Sequence, residues 1–240
     1  MNNVRLYQDF EREVDPNNRP ADERGTMLIQ YGFPGSGSTF VWQVLDSIFG
    51  NVKKTHNCPE YDERYKVVAT IRDFRDVLCT YFKRASLPVS KPSIDFLVQQ
   101  HATRSGSFTD LYKVSDVWGD KDNILWLRYE DFFDNFDYLF GQIEPFCQIT
   151  LTDEQKRHAY ENYSLTANQQ RVKQADALCK QKGAQGWLDK TWVPYTVDGI
   201  NGLHITEKGA VGKWRYVVPE DLHGYITKAL EEPLKKYGYL

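Results

Sequence analysis

The sequence predicts an α/β protein in three layers, α/β/α, with helices on both faces of a central, mostly parallel sheet. Two observations carry this. Apolar runs of strand length recur at residues 27–33, 65–71 and 123–129, and they are apolar nearly throughout, as strands buried on both faces are. Each run is followed by a stretch with apolar residues at helical spacing, which is the alternation that builds a parallel sheet. At 240 residues the chain is expected to form one domain. A polar lead-in covers residues 1–25.

The first strand and its helix are joined by Gly32-Phe33-Pro34-Gly35-Ser36-Gly37-Ser38-Thr39. A strand, a glycine-rich turn and a helix start together make a phosphate site. Glycines let the backbone approach an anion, and the first helical N–H groups point at it. Ser36, Ser38 and Thr39 add hydroxyl donors. Gly32, Gly37 and Thr39 fit the spacing GxxxxGK[ST], but Ser38 stands where that motif has lysine. The helix carries Phe40, Val41, Val44, Leu45, Ile48 and Phe49 at helical spacing and stops at Gly50-Asn51. A short segment, residues 52–57, then brings Lys54 and His56 close together.

The second strand ends at Arg72-Asp73, and Asp73 is a good N-cap for the helix that follows. Arg72 thus stands at the carboxyl end of a strand, where open α/β sheets place their ligands. Thr80 falls about two turns into that helix. Residues 85–120 are less regular, with a helix around Ile94–Val98 and a loop at 104–107. The third strand ends at Glu130-Asp131, and a helix is expected from there to about Ile143, with Phe132, Phe136, Leu139, Phe140 and Ile143 on one face. Thr152-Asp153-Glu154-Gln155 reads as a capping box. Residues 162–206 carry little regular pattern. Trp187, Trp192 and Tyr195 among glycines suggest that residues 181–206 form a lid over an apolar ligand. Residues 207–214 read as a basic, glycine-rich turn, and Pro219 opens a last helix running to about Leu230.

Composition narrows the function classes. A formal net charge of -3 argues against a general nucleic-acid binder. The 4 cysteines form no CxxC pair and read as reduced thiols. No apolar stretch is long enough to span a membrane, and the lead-in lacks the apolar core of a signal peptide. These observations set the expectation of a soluble, cytoplasmic protein with no nucleic-acid or membrane partner.

In the order and spacing of several motifs, residues 27–216 resemble the sulfotransferases that use 3′-phosphoadenosine 5′-phosphosulfate (PAPS). The family's YPKSGTTW loop is matched by residues 33–40, its KTH segment by Lys54-Thr55-His56, and its RNPxDVxxSYY segment from Arg72 to Tyr81. Its YED is matched by Tyr129-Glu130-Asp131 and its RKGxxGxW by Glu207 to Trp214. The resemblance implies a P-loop NTPase-like sulfotransferase fold and, through it, roles. Pro34, Gly35, Ser36, Gly37, Ser38 and Thr39 would cradle the 5′-phosphosulfate, and Phe40 would stack on adenine in place of tryptophan. Arg72, Thr80, Lys208 and Gly209 would hold the 3′-phosphate. Tyr129 would contact the adenine, with Ser164 and Leu165 as further adenine-side contacts. His56 would be the catalytic base and Lys54 the cation at the leaving group. The reaction would transfer a sulfuryl group to a hydroxyl or amine of a small-molecule acceptor and leave adenosine 3′,5′-bisphosphate (PAP), with no metal; the aromatics of residues 181–203 suggest a ring-bearing or apolar acceptor, with a carbohydrate or a peptide tyrosine as alternatives. The family's C-terminal dimer pattern, KxxxTVxxxE, is not recognisable after Trp214, so oligomeric state is open.

Two positions depart from the family's pattern. Gly35 stands where the loop has lysine or arginine, and Glu207 where the closing motif has arginine. Other readings share the phosphate loop. A P-loop-like nucleotide kinase lacks its loop lysine here and shows no evident magnesium partner. A nucleotide-binding homologue without catalysis would account for Gly35 and Glu207, but not for the retained His56 and Lys54.

Overall fold

A computed structural model describes residues 27–103, 106–119, 121–181 and 209–240. The polar lead-in, Glu207, Lys208 and all but the first residue of the expected lid lie outside this set. The described strands are β1 (Met27–Gly32), β2 (Lys53–Thr55), β3 (Tyr65–Ile71) and β4 (Ile124–Arg128). They form a 4-stranded sheet in the order β2-β1-β3-β4, and every pairing is parallel. The helices are α1 (Ser38–Phe49), α2 (Phe74–Arg84), α3 (Lys91–Thr103), α4 (Phe108–Trp118), α5 (Tyr129–Phe132), α6 (Phe136–Cys147), α7 (Asp153–Tyr163), α8 (Leu165–Gln181), α9 (Trp214–Val217), α10 (His223–Ala229) and α11 (Glu231–Lys236).

Alternate strand residues feed two cores, because successive side chains point to opposite faces. Ile29, Tyr31, Val67, Ala69 and Ile71 meet Phe74, Val77 and Leu78 of α2, Ile94 of α3, and Leu111 and Trp118 of α4. Ile226, Leu230 and Leu234 from the C-terminal helices close the same core. Leu28, Val68 and Leu127 instead meet Val41, Val44 and Leu45 of α1, Leu139 and Ile143 of α6, and Ala159 of α7. Each such large side chain, fully buried, stabilises the fold by about 1.5–3 kcal/mol. The three layers are therefore present, and every described strand is parallel.

Register explains where a site can form. Gly32 pairs with Thr70, Tyr31 with Thr55, and Ile71 with Arg128. The carboxyl ends line up, so Phe33, His56, Arg72 and Tyr129 all leave the sheet along one edge. Capping follows the sequence where it is local. Asp73 accepts from Arg75 N at 2.9 Å, and the Thr152–Gln155 capping box forms.

Five local features differ from the sequence reading. Residues 53–55 are a strand, too short to show a period. Residues 108–118 form α4, capped by a Ser107–Asp110 box. The helix expected from Glu130 is two, broken where Asp134 takes φ 52° and Asn135 caps α6 by accepting from Tyr138 N. Residues 165–181 are helical although they lack an apolar stripe: among the described side chains of α8, only Asn168 and Val172 are buried. At the C-terminus, a 3-10 turn (Glu220–Leu222) precedes α10, and α11 carries helix on to Lys236.

Candidate active site

The loop after β1 is shaped by two left-handed glycines, Gly35 at φ 87° and Gly37 at φ 80°. At Gly37 a Cβ would also stand 2.7 Å from the Tyr129 ring, so this position is closed to any side chain. No side chain caps α1, and no acidic residue lies in its first turn. Its first N–H groups, which lack intrahelical acceptors, are therefore open to an anion. Ser38 and Thr39 stand at that helix start. Ser36 is used differently. Its Oγ lies 2.8 Å from Thr70 Oγ1, in a buried network with Gln30, and so ties the loop to β3 rather than facing outward.

Lys54 and His56 are brought to this loop by β2. Lys54 Nζ donates to Thr39 Oγ1 at 2.6 Å. Burial pushes the Lys54 pKa down to about 7, because a cation removed from water loses its hydration. His56 Nδ1 lies 2.5 Å from Gly32 O. A carbonyl can only accept, so Nδ1 carries the proton and Nε2 keeps its lone pair. Burial, and then the neighbouring Lys54, hold the imidazole below its ordinary pKa, against the opposing pull of Gly32 O. At neutral pH it is therefore a free base. The turn before α4 presses on it: a Cβ at Gly106 would come within 3.0 Å of both His56 Cβ and Pro34 Cγ. An aromatic wall adjoins, with Phe33 stacked on Phe108 at 5.1 Å and His101 edge-on to Tyr81 at 4.4 Å.

A second cluster forms around α2. Arg72 is buried, donates through Nη2 to Ala210 O at 2.6 Å, and lies 3.4 Å from Asp76 Oδ2. Its guanidinium sits over the Tyr129 ring at 4.0 Å, a cation–π contact. Its Nε is buried with no hydrogen-bond partner. Thr80 Oγ1 lies 3.4 Å from Asp76 O and accepts from Lys213 Nζ at 2.7 Å. Tyr129 OH donates to Gly209 O at 3.2 Å, and burial raises its pKa. Gly209 takes φ 65°, and a Cβ there would stand 1.9 Å from Phe133 Cζ. Lys208 lies outside the described residues.

Phe40 is parallel to Phe132 at 6.1 Å and edge-on to Phe136 at 5.3 Å. Ser164 and Leu165 sit at the start of α8. Ser164 Oγ accepts from Ala167 N at 3.3 Å, and Leu165 N donates to Asp134 Oδ1 at 3.5 Å.

The structure thus brings Lys54 and His56 to the phosphate loop, and Arg72, Thr80, Tyr129 and Gly209 to a second cluster that meets the loop at Gly37; the hydrogen bonds of Ser164 and Leu165 reach neither, and Lys208 is not described. It also brings in two residues that sequence reasoning left without a role. Asp76 is fully buried and accepts from Gly212 N at 2.7 Å and Trp214 N at 2.9 Å, so it holds the C-terminal turn onto α2. Lys213 reaches Thr80. Asp76 matches the aspartate of the RNPxDVxxSYY segment but was given no role from it, and no sequence signal marked Lys213 as buried. Among the described residues, no group of three or more His, Cys, Asp or Glu is placed to hold a metal ion, and no helix is long and apolar enough to cross a membrane.

No curated protein matches the chain in sequence. Two solved structures resemble it in fold. One is mouse sulfotransferase SULT7A1 complexed with PAP, with a TM-score of 0.55 at 16% identity over 89% of this chain and 88% of that one. The other is retinol dehydratase in complex with androsterone and inactive cofactor PAP, with a TM-score of 0.57 at 16% identity over 90% and 81%. The sulfotransferase domain family model matches residues 52–238, a span that begins just after the phosphate loop and α1 and takes in Lys54, His56, α2 and the C-terminal turn. On that match, which covers most of its length, the chain belongs to the sulfotransferase domain family.

Proposed function

We propose that the chain moves a sulfuryl group from PAPS to a hydroxyl or amine of a small-molecule acceptor. The observation that carries this is His56. Its Nδ1 proton is fixed on Gly32 O, which leaves Nε2 as a neutral base at the same sheet edge as the phosphate loop.

The residues present fit a doubly phosphorylated nucleotide. The uncapped start of α1 suits the 5′ end, with Pro34, Gly35 and Gly37 shaping the turn and Ser38 and Thr39 beside it. The buried, unpartnered Nε of Arg72 suits the 3′-phosphate, with Thr80, Gly209 and Lys208 around it. Phe40 and Tyr129 flank the adenine, with Ser164 and Leu165 at its margin. When bound, the donor supplies a sulfuryl group already attached to a phosphate leaving group. His56 Nε2 takes the proton of the acceptor hydroxyl, which frees that oxygen's electron pair for sulfur. Positioned base catalysis of this kind contributes about a hundred- to ten-thousand-fold. Lys54 and the α1 N–H groups would stand at the donor's phosphate and take up the charge left there as the sulfuryl group departs, each donor worth on the order of 3 kcal/mol. Gly35 brings no charge, so Lys54 is the cation of this end.

The androsterone bound in the retinol dehydratase structure supports an apolar or ring-bearing acceptor. The cysteine pattern supports a reducing, cytoplasmic setting. A sulfate-transfer assay over a panel of phenols, alcohols and amines tests the reading. Turnover with PAPS, lost in His56→Ala, is expected. Tight ATP binding with no response to PAP would instead mark a kinase-like protein.

A further inference from the structure

Position 207 carries a glutamate where the closing motif of the family has arginine, so the 3′-phosphate end lacks one expected cation. Another lysine on the same turn reaches that end. Lys213 is only 3% exposed, and its Nζ lies 2.7 Å from Thr80 Oγ1. Lysine is almost never this buried without a reason to be. The backbone on both sides of it is pinned, because Gly212 N and Trp214 N both donate to the Asp76 carboxylate. Asp76 and Thr80 lie one turn apart on α2, and Arg72, just ahead of the helix cap, stands 3.4 Å from Asp76 Oδ2. The turn lies along these residues, with Ala210 O on Arg72 and Lys213 on Thr80.

We propose that Lys213 binds the 3′-phosphate of the donor together with Arg72 and Thr80, supplying the charge that Glu207 cannot. This rests on the donor being PAPS. Lys213 then sets the preference for a 3′-phosphorylated nucleotide, while the 5′ end is held independently at α1. A purely structural lysine, tying the turn to α2, would affect all nucleotides alike.

The test is calorimetric titration of the full chain with PAP and with AMP, which lacks the 3′-phosphate. In the wild type, PAP should bind more tightly than AMP. Lys213→Met should lose about tenfold or more in PAP affinity, the scale of one hydrogen bond to a charged group, with AMP affinity changed less than about twofold. Lys213→Arg should restore most of the loss. Lys213→Gln, similar in reach and polar, serves if the methionine variant does not fold, and should show the same selective loss. An equal loss for both nucleotides, or no loss for either, overturns the assignment of Lys213 and leaves the proposed donor standing. A wild type that does not distinguish PAP from AMP overturns the donor itself, and this assignment with it.

Discussion

At one end of the site, Lys54 reaches Thr39 across 15 residues of chain, and His56 reaches Gly32 across 24. At the other end, Arg72 reaches Ala210 across 138 residues, Asp76 reaches Gly212 across 136, and Lys213 reaches Thr80 across 133. The first end is made by a turn and two neighbouring strands. It holds no cation in its loop, and its one lysine is pushed down to about 7. The second end joins α2 to a turn more than a hundred residues further on and carries the Arg72 guanidinium. The proposed proton transfer and the proposed grip on the 3′-phosphate are therefore seated in separable pieces, and substitutions should sort into the two.

The largest effect should come from His56→Ala. Turnover should fall about a hundred- to ten-thousand-fold, while PAP affinity by calorimetry stays within about twofold. A parallel loss of PAP affinity would break the division between the ends. Next is Asp76→Ala, which strips a buried carboxylate from two backbone N–H donors and the Arg72 guanidinium. Denaturant unfolding should show a loss of about 3 kcal/mol or more, the scale for breaking a buried ion pair, and PAP binding should weaken with it.

A smaller effect is pH-dependent. Lys54 is pulled down to about 7 without a ligand, and an anion beside it raises that pKa. The protonated form binds better, so the gain is full below pH 7 and is lost as pH rises towards the bound pKa. PAP affinity should fall by up to about tenfold per pH unit above 7, and Lys54→Met should flatten the curve. The smallest effect should follow Tyr239→Phe. Tyr239 OH donates to Glu130 Oε2 at 2.8 Å, and Glu130 Oε1 accepts from Asp73 N at 3.0 Å. Losing one such bond should cost about 1 kcal/mol of stability, read by chemical denaturation, with turnover nearly unchanged.

What could be read from the sequence follows the same division. The strand–turn–helix at Gly32–Thr39, the Asp73 cap and the Thr152 capping box were legible because each is fixed by residues a few positions apart. The three layers were legible because buried parallel strands are apolar on both sides. The helix α8 was not, since its described residues bury only Asn168 and Val172 and so leave no stripe to count. Asp76 and Lys213 were invisible as site residues for a different reason. Nothing within one helical turn of either announces a partner more than a hundred positions away. The roles proposed for Arg72 and Thr80 came from resemblance; the buried, unpartnered Nε of Arg72 is a feature that no sequence pattern announces.

The Asp76 contacts bear on how the protein is made. A ribosome delivers the chain from its amino end, and domains fold as their last elements emerge. Strands, phosphate loop and α2 are all synthesised while Gly212 and Trp214, the donors for a carboxylate that ends fully buried, are still absent. A transcript cut short before codon 212 would therefore yield a product lacking both backbone donors for Asp76 and the C-terminal helices that close one core, a natural client for chaperones and proteases.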